Sequence, residues 1–97
     1  MNALAAPPEP HSARAGHARS ELEAANAEVL TLEKRHAAAD EQSLARRRRS
    51  DLVQAWRREA DAWADAMPAD PAARAAVTAS KKAQALYFMP SGGLVKP

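Results

Sequence analysis

Ninety-seven residues allow at most one small domain. Apolar residues make up 46% of the chain, but 26 of them are alanine, whereas Leu, Val and Phe together number 13 and isoleucine is absent. That composition favours helix and starves a hydrophobic core. A net charge of +2 is too small for self-repelling disorder, the lack of cysteine excludes disulfides and thiolate metal sites, and no apolar run reaches the roughly 18 residues of a membrane span.

Residues 1–19 read as an extended arm. Pro7, Pro8 and Pro10 favour extended backbone, and Gly16 interrupts an early helix. The start lacks the basic segment and apolar length of a secretory signal, so the expected location is cytoplasmic or virion-associated.

Ser20 is the expected start of the first helix. Ser20 and Glu23 have the spacing of a capping box, in which each side chain bonds the other residue's backbone N–H. From Ser20 to Met67 there is neither glycine nor proline, and those 48 residues, unbroken, would run about 72 Å. Leu22, Ala25, Val29 and Leu32 form an apolar seam at alternating 3–4 spacing. The seam then fades into His36, Ala39, Ser43 and Arg46.

A second stripe begins at Leu52 and continues through Trp56, Ala60, Trp63 and Met67. On a straight helix Trp56 would lie about 160° around the axis from Leu22. Two readings follow. One long helix could serve two partners, which the lack of Gly or Pro favours. Alternatively, a break near residues 38–43 folds the segment into a hairpin, with Asp40 or Ser43 capping the second arm.

Pro68 ends this segment. Asp70 as N-cap with Pro71 in the first turn is a strong restart signal, and the next helix is expected over 71–87 within a segment 68–89. Residues 90–97 read as an extended tail. The expected fold is therefore all-α: a long helix or helical hairpin over 20–67, a short C-terminal helix, and an extended arm at each end.

Four consecutive arginines, Arg46, Arg47, Arg48 and Arg49, stand at the heart of this helical region, with Arg57 and Arg58 two to three turns on. Successive helical residues turn about 100°, so the four cover most of the circumference and cannot share one groove. They are candidates for contact with an acidic protein surface or with phosphates, beside the plain reading of a solvated face with local ion pairs. No helix-turn-helix, zinc-finger or RNP-type pattern favours nucleic acid.

Candidate partner-binding residues are Leu22, Val29, Leu32, Leu52, Trp56, Trp63 and Met67, together with the Leu86, Tyr87, Phe88 cluster, since indoles and arginines are favoured at interface hot spots. Asp61 and Asp65 flank the tryptophans and count against an anionic membrane surface.

Catalysis finds no support. His11, His17 and His36 have no partner at ligand spacing, and neither a phosphate loop nor a nucleophile elbow is present. No cofactor, metal or small-molecule substrate is expected. The expected role is structural: a small helical subunit held in a larger assembly, through its own copies or other subunits, by helix packing and arms. The short Ala- and Arg-rich helical body with two tails resembles minor virion or packaging proteins of tailed bacteriophages. A nucleic-acid-binding accessory protein, such as a small terminase-like packaging factor using Arg46 to Arg49, is the alternative. A regulator binding one host protein through the tryptophan face is a third class.

Overall fold

Pro10 leads directly into the first helix. The structure, a computed structural model, describes residues 10–89. It holds α1 (His11–Lys34), α2 (Ala39–Ala66) and α3 (Pro71–Tyr87). The described chain is all-α. Of the arm expected over residues 1–19, residues 1–9 lie outside the described residues, as does the tail expected over 90–97.

The early start of α1 corrects the expected boundary at Ser20. Residues 11–19 are helical, and Ser20 and Glu23 sit inside the helix as exposed residues with no capping box. The reason is burial. Ala15 and Ala18 extend the seam of Leu22, Ala25, Val29 and Leu32 backward at the same 3–4 spacing, and all six are buried. A glycine inside a helix costs about 1 kcal/mol, which the added turns offset by packing. A Cβ placed on Gly16 would meet nothing within 4 Å.

The segment 20–67 is a hairpin. Its break falls at residues 35–38, overlapping the expected window only at Ala38, and neither Asp40 nor Ser43 caps α2. The N-cap is Ala38, with no side-chain bond. What stops α1 is a Schellman closure. His36 takes φ 55°. Its N–H donates to the Glu33 carbonyl at 3.1 Å, and the Ala37 N–H donates to the Leu32 carbonyl at 2.9 Å. Ala37 then packs on the cluster of Val29, Leu32 and Ala45. Glycine is the usual occupant of such a position, and histidine holds it here at some steric cost.

The reversal lets the two stripes meet. Leu22 and Ala18 of α1 pack with Val53 and Trp56 of α2, and Leu52, Ala79, Ala83 and Tyr87 close around them. Polar ties set the antiparallel register: Arg14 faces Glu59 at 3.6 Å, Arg49 donates to Asn26 at 2.8 Å, and Arg46 donates to Glu33 at 2.6 Å.

α3 starts as expected. Asp70 accepts from the Ala72 N–H at 2.9 Å, with Pro71 behind it. α3 runs back along α2, presenting the small buried residues Ala73 and Ser80. Gln84 ties the pair by bonding Gln54 and by accepting from Arg57 at 2.8 Å. At the far end the Met89 N–H donates to Ser50 Oγ at 2.8 Å. α2 is thus the central helix, packed against both others, while α1 and α3 barely touch.

Candidate functional site

The gap between α1 and α3 is an open trough floored by α2. Two hollows of ≈ 470 Å³ and ≈ 300 Å³ lie end to end along it and share Arg19, Trp56 and Ala79. One wall is α1, from Ser12 through Ala15, Gly16 and Arg19 to Glu23 and Asn26. The other is α3, from Ala72 through Ala75, Ala76 and Ala79 to Ala83, Leu86 and Tyr87. Trp56 and Trp63 line the floor. The α1 residues that border the trough run from Ser12 to Asn26, about 21 Å at roughly 1.5 Å per residue.

The walls are low because their residues are small. Alanine and glycine on the two walls let a fourth element approach the floor closely. Trp56 is buried at 5% exposure, yet it borders both hollows, and the Arg19 guanidinium lies 5.4 Å above its ring. That contact is a cation–π cover on one side of the floor. Arg19 is also held by Glu23 at 3.3 Å.

The four arginines divide by direction. Arg46 and Arg49, three apart, point into the hairpin. Arg46 bonds Glu33 and Gln42, and Arg49 bonds Asn26 and lies 4.5 Å over the Tyr87 ring. Arg57 joins them, bonding Asp61 and Gln84. Arg47, Arg48 and Arg58 are exposed, and among the described residues no hydrogen bond or ion pair engages them. The expectation that the arginines offer charge on nearly every side is thus met by only part of the set. Half of them are structural ties between helices. Arg47 and Arg58 border a separate polar hollow of ≈ 420 Å³ with Asp51 and Phe88.

The apolar candidates also divide. Val29 and Leu32 are buried in the hairpin, 0% and 7% exposed, so their reading as partner contacts is corrected: they complete the chain's own core. Leu22 and Trp56 are core residues that border the trough. Leu52 and Tyr87 are half-buried against the core. Trp63 lines the trough. Leu86, Phe88 and Met67 remain exposed, and of these Leu86 stands on the trough wall. Sequence reasoning missed the walls themselves. Ala72, Ala75, Ala76, Ala79 and Ala83 follow helical 3–4 spacing, a stripe that is readable only if alanine is counted as apolar surface.

Among the described residues no group of His, Asp and Glu could hold a metal ion, and no helix is long and apolar enough to cross a membrane. Comparison with protein-family models, with curated proteins and with solved structures finds no match. The geometry of the trough therefore carries the functional reading alone.

Proposed function

We propose that this protein is a non-enzymatic assembly subunit, held in a larger complex by helix packing in the α1–α3 trough. The observation that supports this is unfinished burial. Among the described residues the core holds five large apolar side chains, Leu22, Val29, Leu32, Val53 and Trp56, while six others, Leu30, Leu44, Met67, Leu86, Phe88 and Met89, are exposed. Scattered exposed leucines are ordinary in a soluble protein. Here Leu86 belongs to a continuous apolar channel over two tryptophans, the kind of surface that marks a protein contact. The virion or packaging machinery of a tailed phage is the setting proposed for the complex, supported by the Ala- and Arg-rich make-up of so short a helical body.

The test is native isolation. A tagged chain is recovered from its source after nuclease treatment, and the mass of what it travels with is measured by light scattering. Wild type is expected in a defined assembly heavier than its own 10.4 kDa, with other subunits in fixed ratio. A chain recovered only as a free monomer would sink this reading.

A second reading is favoured by Arg47, Arg48 and Arg58, whose charges the fold leaves unused. If they contact three phosphates, log K should fall with log[salt] at a slope near about −2.7. Replacing all three with Ala should flatten that slope, whereas replacing Arg46 should not. Absence of binding to duplex or single strand at about 50 mM salt removes this reading, since phosphate contacts are strongest there.

A further inference from the structure

The trough has an electrical character as well as a shape, and it is uneven along its length. At the end bordered by Ala72 and Trp63 the lining is apolar and small. At the other end three cations gather. Arg19 stands on the α1 lip and Lys82 on the α3 lip. Arg49 lies behind the wall, bonded to Asn26 and stacked on Tyr87, both of which line that end. Glu23 is the single acid there, and Arg19 already engages it. Lys82 has no ion pair among the described residues. Both contacts of Arg49 are with neutral groups, and its Nε is buried without an acceptor. α3 itself carries Arg74, Lys81 and Lys82 and no acid between Pro71 and Tyr87. An excess of positive charge thus surrounds an apolar floor.

From this we infer that the occupant of the trough is an amphipathic α-helix of another protein, about four turns long, with a small-residue apolar stripe and acidic residues flanking it at the Leu86 end. The inference rests on the trough being the assembly surface. Length and shape fit a helix: a straight channel of about 21 Å matches about fourteen helical residues. Alanine walls allow the close approach that a helical backbone needs, and the indoles supply the buried anchor. Charge selects the partner's sign. Carboxylates on the occupant would meet Arg19 and Lys82 across the lips, and the field of Arg49 from behind, in a site that the helix itself desolvates. A second copy of α3 fits the groove in size. It would bring Lys81 and Lys82 toward the same cations, and like charges in such a place cost affinity.

The experiment uses a displayed library of 18-residue helices with a fixed Leu/Ala stripe and flanks randomised among Glu, Gln and Lys. It is selected on the full chain and counter-selected on Gly16→Leu. That variant blocks the channel without endangering the fold, because a Cβ at Gly16 enters open space and helix interiors prefer leucine to glycine. Survivors are expected to carry Glu at the flanks in about tenfold excess over Lys. A synthetic survivor should shift the Trp56 and Trp63 emission and lose affinity about tenfold on the exposed substitution Lys82→Glu.

Survivors that are sensitive to Gly16→Leu but lack an acidic preference would overturn the inference and leave the assembly reading standing. A purified chain that dimerises, and is returned to monomer by Gly16→Leu, would do the same by making a second copy the occupant. If no survivor depends on Gly16, the trough is not a helix site and the inference falls. The assembly reading is then judged by native mass alone.

Discussion

At the scale of single residues, four arginines in a row divide into two inward and two outward ones because a helix turns under them. Arg49 is held by a 2.8 Å bond to Asn26 and by the Tyr87 ring. Arg46 meets Glu33 at 2.6 Å, but both side chains are more than a third exposed, so solvent weakens the pair. Arg47 and Arg48 touch no partner among the described residues. Urea denaturation of the single alanine variants should therefore rank them. Arg49→Ala is expected to lose about 1–2 kcal/mol, through the bond to a charged group and the lost packing on the ring. Arg46→Ala should lose about 0.5–1 kcal/mol. Arg47→Ala and Arg48→Ala should stay within about 0.5 kcal/mol of wild type. Equal losses at all four positions would contradict the inward and outward division.

At the scale of elements, two positions carry conformational cost that substitution can remove. His36 sits at φ 55° in the closure of α1, where glycine has no steric penalty. His36→Gly is expected to raise stability by about 1 kcal/mol. The comparison variant His36→Val, β-branched at a left-handed position, should lower it. Gly16 lies mid-helix with space around its Cα, so Gly16→Ala should add about 0.5–1 kcal/mol. Thermal melts followed at 222 nm decide both, and a destabilised His36→Gly would mean that the imidazole makes a contribution the backbone geometry does not reveal.

These same positions show why some elements could be read from sequence and others could not. Asp70 and Pro71 announce α3 because capping chemistry is local and belongs to particular residue types. The offset between the Leu22 and Trp56 stripes leaves two readings open, and the lack of Gly or Pro favours the one the structure does not adopt, a single long helix; the hairpin forms because one straight helix cannot turn both stripes toward one core. The turn itself was hidden. His36 and Ala37 close it by backbone bonds that any residue can make, and the usual marker, glycine, is absent. The true start of α1 was hidden for the opposite reason. Gly16 and the Ser20–Glu23 pair are convincing local signals that long-range burial of Ala15 and Ala18 overrides. The trough was invisible because it is made of alanines on two helices 60 residues apart in sequence, and nothing local says that α1 and α3 stay separate.

At the scale of the whole molecule, the three helices are held with unequal strength. The α1–α2 seam contains all five large core side chains, and burying each is worth about 1.5–3 kcal/mol. α3 adds mostly Ala73, Ser80, half-buried Tyr87 and the Gln84 bonds. A helix of 17 residues is marginal alone in water, so α3 depends on that thin seam. Because α1 and α3 barely touch, α3 can open without unravelling the hairpin. Hydrogen exchange should show it. Amides of α2 facing α1 are expected to be the slowest, and those of α3 faster by about a factor of ten or more, each factor of ten being about 1.4 kcal/mol of opening free energy. An acid-flanked helix bound in the trough would touch both walls at once and close the one gap the fold leaves. Its binding should slow exchange in α3 and at the α1 lip far more than in α2. Uniform protection of all three helices without a ligand would mean that α3 unfolds only with the hairpin, and that the trough is a rigid, fully formed groove before its partner arrives.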